Sequence, residues 1–218
     1  MISKAFKNFR SSSFATTTTI PRNSFSLLLN LDKSNFDKSQ TQYWEEGLIL
    51  VDENDQVMNK ISKVEAHLNS FNNSGLAHRA FSVFLFNQHN QLLLHQRSHK
   101  KVTFPLMWTN SCCSHPLYTE EEMIEKDHQG AKTALRRRVL FELGCDLGEI
   151  DDINFMGKVF YAAQCDDTWG ENEIDLCFFI KRDFTDADFN INKNEIEDYK
   201  WVSKNQLINF LGERYKKQ

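Results

Sequence analysis

The sequence contains few residues that interrupt regular structure, with 3 prolines and 8 glycines among 218 residues. It has no apolar run of about 18 residues, so we expect no transmembrane helix. It also lacks an excess of basic residues, since 26 Lys and Arg stand against 30 Asp and Glu. The resulting net charge of -4 argues against a nucleic-acid binder with a broad basic surface. We therefore expect no membrane insertion and no nucleic-acid partner.

The number and spacing of the cysteines are too irregular for a disulfide framework. The five cysteines are odd in number and follow no secreted-domain spacing, so we expect reduced thiols in an intracellular compartment. Two of them, Cys112 and Cys113, stand side by side in TNSCCSHP (109–116), shortly before His115. Taken alone, this segment is compatible with a metal site, half of a disulfide, a nucleophile or a polar loop.

Acidic residues are absent from residues 1–31, which are basic and rich in Ser, Thr and Phe. This composition is typical of an organelle transit peptide. We expect a leader over 1–31 that directs the protein to mitochondria or another organelle. The alternatives are a disordered leader without a targeting role and a cytoplasmic or peroxisomal protein.

Apolar runs alternate with polar turns along the rest of the chain. A strand at 48–51, a turn at 52–55 and a following strand predict one hairpin, and residues 78–86, 87–90 and 92–94 predict a second. Residues 119–144 predict a helix that ends at Gly144. Residues 153–167 and 172–182 predict strands, and 201–216 a terminal helix. Strands interleaved with helices indicate a single α/β (α+β) domain.

Two charged residues lie on the apolar stripe of the predicted helix at 119–144. Arg138 and Glu142 fall inside the arc formed at about 100° per residue. The apolar members of this stripe are Ala131, Leu135, Val139 and Leu143. Charges on a core-facing stripe need a partner. The two residues either pair with each other at i, i+4, or the arginine holds an anion and the glutamate a cation.

The segment RRRVLFELG (136–144) resembles the Nudix box, whose helix ends REUxEExGU and places glutamates around a magnesium-bound diphosphate. Aligned on Gly144, one glutamate of the EE pair is kept as Glu142, whereas Phe141 and Arg138 replace two others. Nudix hydrolases use those carboxylates to assemble metals and activate water. We therefore expect a Nudix-like mixed sheet sandwiched by helices, without hydrolysis, in which Glu142 still helps to hold a magnesium diphosphate.

Carboxylates repeat with strand periodicity in WGENEID (169–175). Glu171 and Glu173 point to one side of a strand, and Asp175 continues the row. Two carboxylates on one face repel unless a cation, a shared proton or water separates them. The histidines in segments able to converge on them are His67, His78 and His115. Three imidazoles and two carboxylates suit a borderline divalent ion such as Zn²⁺ or Mn²⁺. The alternative is that these are ordinary surface or packed histidines.

Several segments together resemble type I isopentenyl-diphosphate isomerase, a family with the Nudix fold. They are HRAFSVFLF (78–86), QRS (96–98), FP…WTNSCCSHPL (104–117), RRRVLFELG (136–144), YAAQCDDTWGENEID (161–175) and YKWVSKNQL (199–207). The resemblance covers roughly residues 44–211, which we interpret as the isomerase domain. It implies interconversion of isopentenyl and dimethylallyl diphosphates, in isoprenoid biosynthesis, by protonation of one face of the substrate and deprotonation of the other.

The resemblance also implies roles for individual residues. Cys113 and Glu173 would be the catalytic acid/base pair, with Tyr161 assisting Glu173. The implied ligands of a tightly bound divalent metal (Zn²⁺, Mn²⁺ or Mg²⁺) are His67, His78, His115, Glu171 and Glu173. Glu142 would contact a second ion, Mg²⁺, held with the diphosphate. The implied basic residues near the diphosphate are Lys63, Arg97, Lys101 and Arg138. The expected partner is a small-molecule prenyl diphosphate, bound by a monomer.

Two departures from the family pattern are visible. Family members usually continue past the late helix with a TPW-like segment that places an aromatic ring over the reacting carbons. This sequence stops at Gln218, so we expect a more open pocket, and a weakly active prenyl-diphosphate binder is the alternative to an efficient isomerase. Leu106 stands where a glycine is common, and we expect a small change in that loop.

Overall fold

The computed structural model describes residues 31–72, 74–148 and 152–215. The leader predicted for 1–31 lies outside these ranges apart from Leu31, so its targeting role stays a prediction. Within the described ranges, no helix has both the length and the apolar character needed to cross a membrane.

Nine strands of the described chain form one mixed sheet. They are β1 (Gly47–Val51), β2 (Val57–Ser62), β3 (Ala77–Phe86), β4 (Leu92–Arg97), β5 (Trp108–Thr109), β6 (Cys112–Ser114), β7 (Asn154–Gln164), β8 (Gly170–Lys181) and β9 (Ile196–Val202). The α-helices are α1 (Lys38–Thr41), α2 (Lys63–Ala66), α3 (Asn69–Asn72), α4 (Gln129–Leu143) and α5 (Lys204–Tyr215). This mixture of a large sheet with helices confirms the predicted α+β fold class.

Strand β3 is the centre of the sheet. It pairs antiparallel with β1, β4 and β6 and runs parallel to β8, which in turn pairs with β7. Seven of the ten residues in its sequence AHRAFSVFLF are apolar, and most of its side chains are buried, as expected for a strand covered on both faces. Both predicted hairpins are confirmed as the antiparallel pairs β1–β2 and β3–β4.

The main hydrophobic core lies between the sheet and α4. Phe81 and Val83 of β3 pack there with Leu135 and Val139 of the helix, all four with no exposed side-chain surface. Cys112 belongs to the same core. The adjacent Cys113 points to the other face of the sheet because successive strand residues alternate.

The predicted start of the helix at residue 119 was wrong, because α4 begins only at Gln129. Asp127 and His128 have φ values of 52° and 57°, a left-handed conformation that breaks the helix. The carboxylate of Glu122 accepts hydrogen bonds from Arg137 and from the backbone of Leu117. The bond from Arg137 spans 15 residues and holds Glu122 in a turn, and residues 126–128 form a short 3-10 helix, despite the helix-forming composition of 119–128.

The predicted end of the same helix is confirmed. Gly144 follows Leu143 with φ of 65°, and its backbone N–H donates to the carbonyl of Leu140. A Cβ at position 144 would lie 2.2 Å from the carbonyl oxygen of Asn190, so only glycine fits there.

The terminal helix was predicted to begin too early. Trp201 and Val202 belong to β9, where they pair with Leu93 and Leu92 of β4. The helix begins at Lys204, after Ser203, whose hydroxyl accepts a hydrogen bond from the backbone of Gln206.

Candidate active site

Strand register places the polar side chains of the candidate site on one face of the sheet. His78 of β3 lies opposite Glu173 of β8, and Glu173 lies opposite Tyr161 of β7. Ser82, four residues after His78, lies opposite Cys113 of β6. Because strand side chains alternate with a period of two, these residues share the face turned away from α4.

Five side chains on this face converge on one point. One ligand atom from each lies within 4.8 Å of the ligand atoms of the others. The residues are His67, His78, His115, Glu171 and Glu173. Glu173 Oε1 lies 2.7 Å from His115 Nε2 and 3.2 Å from His78 Nε2. His67 Nε2 lies 3.1 Å from Glu171 Oε2. The convergence inferred from spacing and resemblance is therefore present.

The donor atoms of this histidine–glutamate cluster fit a divalent cation. His67 Nδ1 lies 2.6 Å from the carbonyl oxygen of Lys63, and a carbonyl only accepts, so Nδ1 carries a proton. In the neutral ring, Nε2 then presents a lone pair to Glu171 Oε2, a buried oxygen with no hydrogen-bond donor among the described residues. Two facing electron-pair donors need a proton or a metal ion between them. Three imidazoles and two carboxylates form a ligand set that accepts such an ion.

The pKa shifts in the cluster differ between His115 and His67. Burial and the neighbouring His78 and His67 hold the pKa of His115 well below its usual range, so its ring is neutral at pH 7. Burial alone would raise the pKa of Glu173, but the hydrogen bond to His78 and the charges of His78 and His67 together outweigh it and lower this pKa. For His67 the balance is opposite, because the Glu171 and Glu173 carboxylates together outweigh burial and raise its pKa. Divalent metals bind neutral imidazoles and ionised carboxylates, so metal binding at the cluster would displace a proton from His67.

A helix cap orients one side of the cluster. Ser62 and Glu65 form a capping box at the start of α2, in which each side chain bonds the backbone of the other. The short helix places Lys63 at its first position and His67 at its C-terminal cap. The local sequence S-x-x-E thus fixes both a candidate metal ligand and a candidate diphosphate ligand.

Cys113 lies beside the cluster in a polar but enclosed position. Its Sγ donates to Asn110 Oδ1 at 2.8 Å and lies 3.2 Å from Ser82 Oγ. Burial and the nearby Asp175 carboxyl raise the pKa of Cys113 to about 12, so the thiol is protonated at pH 7. All five cysteines are free thiols, and Cys112 is fully buried in the core.

Asp175 and Tyr161 complete this face. Ser82 Oγ donates to Asp175 Oδ2 at 3.0 Å. Burial and the neighbouring Glu173 carboxylate raise the pKa of Asp175 well above its usual range. Burial and the Glu171 and Glu173 carboxylates also raise the pKa of Tyr161, so its phenol keeps its proton at neutral pH.

A second group of charges lies at the buried face of α4. Arg138 donates to Glu142 at 2.6 Å and lies 3.7 Å from Glu195, which accepts from Lys101 at 2.6 Å. The Arg138 guanidinium offsets the cost of burial and lowers the pKa of Glu142 to about 2. Arg138 and Glu142 therefore pair at i, i+4, one of the two alternatives left open by the sequence.

Lys63 belongs to the same basic group. Its burial and the charges of Arg138 and Lys101 lower its pKa to about 8. Its ammonium group lies 3.8 Å from Glu46. The positive charges of Lys101 and Arg138 thus lie close enough to Lys63 to lower its affinity for a proton, as expected where basic residues converge on an anion.

Arg97 is held apart from these ion pairs. Its guanidinium donates to the carbonyl oxygens of Thr103 and Phe104, which fixes the loop after β4. The same loop holds Leu106 in a left-handed conformation, with φ of 59°. A leucine thus occupies a backbone conformation that suits glycine, the residue the resemblance favours there.

The structure brings together eleven of the twelve predicted site residues in two neighbouring groups and places Arg97 at the loop after β4. The residues that sequence reasoning left without a role are Ser82, Asn110 and Glu195. Ser82 carried a signal, since it is a hydroxyl inside the apolar run AFSVFLF. No sequence signal pointed to Glu195, because its contacts with Lys101 and Arg138 arise only from folding.

Known proteins resemble this chain in sequence and fold. The NUDIX domain model matches residues 76–218. Isopentenyl-diphosphate Delta-isomerase 1 of Mesocricetus auratus is 46% identical over 179 residues, which cover 81% of this chain and 78% of that protein. Isopentenyl-diphosphate Delta-isomerase I of Camptotheca acuminata is 46% identical over 171 residues, covering 77% and 72%. DR0079 from Deinococcus radiodurans has a similar structure, with a TM-score of 0.50, 20% identity and coverage of 77% and 89%, which supports the fold alone.

The match to the domain model spans more than half of the chain, and both isomerases are far more than 30% identical over more than two thirds of it. These similarities agree with the resemblance of the C-terminal end of α4 to the Nudix box and with the histidine–glutamate cluster. The chain belongs to the type I isopentenyl-diphosphate Delta-isomerase family of the Nudix superfamily.

Proposed function

We propose that this protein interconverts isopentenyl diphosphate and dimethylallyl diphosphate, a step of isoprenoid biosynthesis. The relatives from Mesocricetus auratus and Camptotheca acuminata are named for activity on isopentenyl diphosphate. The observation that carries the proposal is the placement of Cys113 and Glu173 on one sheet face, on strands that flank β3 from opposite sides. Such a placement allows two groups to approach a small C5 unit from different directions.

The reaction requires an acid and a base in a dry site. Protonating an unactivated alkene gives a tertiary carbocation, which water would trap as an alcohol. Loss of a proton from the neighbouring carbon then places the double bond in its new position. The acid must therefore hold its proton in the resting enzyme, and the base must be free of one.

Cys113 and Glu173 have these complementary resting states. The thiol carries its proton because its pKa is raised to about 12, whereas the pKa of Glu173 is lowered. One group thus has a proton to give and the other can accept one, and reversal of the reaction exchanges the roles. Tyr161 lies opposite Glu173 in register, and we assign it to assist proton transfer at that carboxylate.

Binding of the diphosphate is assigned to the basic residues. They are Lys63, Arg97, Lys101 and Arg138. Binding energy at the diphosphate is remote from the alkene, so it orients the C5 unit between acid and base. Arg138 and Lys101 now pair with Glu142 and Glu195, and an incoming diphosphate would compete for these partners.

Two metal roles follow from the carboxylates. The histidine–glutamate cluster would hold a tightly bound Zn²⁺, Mn²⁺ or Mg²⁺, and Glu142 would contact an Mg²⁺ that arrives with the diphosphate. Such ions supply positive charge that offsets buried carboxylates and phosphate oxygens. Phe141 and Arg138, at two glutamate positions of the Nudix box, leave too few carboxylates to assemble the metals of a hydrolase.

The test is incubation of the purified protein with isopentenyl diphosphate and Mg²⁺, followed by phosphorus and proton NMR. We expect dimethylallyl diphosphate to accumulate to equilibrium without release of phosphate. Phosphate release would instead indicate a hydrolase. Substrate binding without conversion would indicate a prenyl-diphosphate binder, and either result would contradict the proposal.

A further inference from the structure

We propose that Asn110 is a positioning residue that fixes the sulfur of Cys113, a role that rests on the proton-transfer function proposed above for that thiol. Asn110 lies in the turn that joins β5 to β6, three residues before Cys113. It is a partly buried side chain, and its contacts run to both the backbone and the thiol.

The backbone determines the orientation of the Asn110 amide. Nδ2 donates to the carbonyl oxygen of Val83 at 3.0 Å and to that of Cys112 at 3.1 Å. Both carbonyls belong to the paired strands β3 and β6. Because carbonyl oxygens only accept hydrogen bonds, the NH₂ group must face them, and the amide oxygen must face the other way.

The amide oxygen is thereby aimed at the thiol. Asn110 Oδ1 lies 2.8 Å from Cys113 Sγ and also accepts from Thr109 Oγ1 at 2.9 Å. An amide oxygen cannot donate, so the S–H group of Cys113 points toward it. Asn110 therefore sets both the place of the sulfur and the direction of its proton in the resting enzyme.

Ser82 holds the sulfur from a second side. Its Oγ lies 3.2 Å from Cys113 Sγ and donates to Asp175 Oδ2 at 3.0 Å. With Asn110 on one side and Ser82 on the other, the Cys113 side chain has little freedom about its Cα–Cβ bond. Such restraint matters because displacement of a reacting atom by about 1 Å can lower the rate about 100-fold.

The contacts of Asn110 distinguish this role from that of an ordinary turn residue. The two Nδ2 bonds are enough to stabilise the turn between β5 and β6. Asn87, in the turn after β3, shows that ordinary case, since its Oδ1 accepts from the backbone of His89 and Gln91. Asn110 instead directs its oxygen to a side-chain thiol, a contact that the turn itself does not require.

The kinetic test compares Asn110→Ala with Asn87→Ala in the full-length, metal-loaded protein. We expect Asn110→Ala to lower kcat for isopentenyl diphosphate about 10- to 100-fold with KM nearly unchanged, because Asn110 does not contact the basic residues assigned to the diphosphate. Asn87→Ala removes a turn asparagine at the far end of β3 and should leave kcat within about 2-fold. Equal kcat values for Asn110→Ala and the wild type would overturn the proposal.

A spectroscopic test reports on the thiol directly. The S–H stretching band of Cys113 is isolated as the difference between Raman spectra of the wild type and Cys113→Ser. A hydrogen bond to Asn110 should place this band below that of thiols without an acceptor, and Asn110→Ala should raise its frequency. If Asn110→Ala does not fold, the frequency of the Cys113 S–H band in the wild type tests the proposal by itself. A band at the frequency of thiols without an acceptor would overturn it.

The two proposals fail in different ways. If Cys113→Ser keeps wild-type turnover, the function proposed for the thiol is wrong. If Cys113→Ser is inactive while Asn110→Ala keeps both turnover and the wild-type S–H band, only the positioning role of Asn110 is wrong.

Discussion

His115 Nε2 lies 2.7 Å from Glu173 Oε1, a contact that ties the segment with the adjacent cysteines to strand β8. His115 follows Cys113 by two residues, so the contact also sets the thiol beside the histidine–glutamate cluster. The candidate proton-transfer groups and the candidate metal ligands therefore form a single structural unit. A substitution in one of these two sets of residues should therefore alter the geometry of the other.

Metal content should depend on His78, which is fully buried in the cluster. We expect the purified wild type to retain a tightly bound divalent ion and His78→Asn to lose it, because one of five ligands is replaced by a weaker one. Elemental analysis by mass spectrometry measures this content. His99→Asn is the control, since His99 is exposed and pairs with Glu197. Equal metal content in both variants would contradict the assignment.

Removal of the metal should also destabilise the fold. An ion that binds only the folded state adds about 2.7 kcal/mol of stability at a free concentration 100 times its Kd. Chelation should therefore lower the Tm of the wild type, while His78→Asn should already melt at the lower temperature and respond little to the chelator. A Tm of the wild type that is insensitive to strong chelators would argue against a structural ion in the cluster.

Substrate capture should weaken at alkaline pH because of Lys63. Its pKa is lowered to about 8, so the ammonium is charged below that pH and loses its proton above it. We expect kcat/KM for isopentenyl diphosphate to fall as pH rises through about 8. In Lys63→Arg, whose guanidinium stays charged, this decline should move to higher pH. The pH profiles of the two proteins provide the measurement, and identical alkaline declines would exclude Lys63 as their source.

Arg138 and Glu142 should be strongly coupled in stability. Removing one partner leaves the other charge buried, so Arg138→Met should lower the free energy of unfolding by about 3–5 kcal/mol. The double variant Arg138→Met/Glu142→Met should recover part of this loss. Urea denaturation measures both. Lys33→Met, which breaks an exposed pair with Glu45, should cost less than about 1 kcal/mol. Additive losses in the double variant would show that the pair is not coupled.

Leu106→Gly should stabilise the protein. Leu106 is exposed and has φ of 59°, a conformation that costs a non-glycine residue about 1–2 kcal/mol. Relief of this strain exceeds the extra chain entropy of glycine, so we expect a gain of about 1 kcal/mol in the free energy of unfolding. Lower stability of Leu106→Gly in urea denaturation would show that its side chain contributes contacts that outweigh the strain.

Local periodicity predicted much of the fold. The hairpins β1–β2 and β3–β4, the end of α4 at Gly144 and the common face of Glu171 and Glu173 all follow from patterns within a few residues. The start of α4 could not be predicted from such local patterns. The bond between Arg137 and Glu122 spans 15 residues and overrides the local helix preference.

The candidate site, too, was only partly predictable from the sequence. Resemblance identified the cluster residues, but periodicity alone could not bring His67, on a helix cap, to Glu171, which lies far along the chain. Glu195 was missed because it reaches Lys101 across 94 residues. The role proposed for Asn110 depends on hydrogen-bond directions, which arise only in the folded structure.

The most direct test of the account is deuterium incorporation by the wild type, Cys113→Ser and Cys112→Ala. Each protein is incubated with isopentenyl diphosphate and Mg²⁺ in deuterated water, and the product is analysed by mass spectrometry. We predict deuterated dimethylallyl diphosphate from the wild type and from Cys112→Ala, whose missing thiol belongs to the core, and none from Cys113→Ser. Deuterium incorporation by Cys113→Ser at the wild-type rate would contradict the assignment of Cys113 as a proton-transfer group.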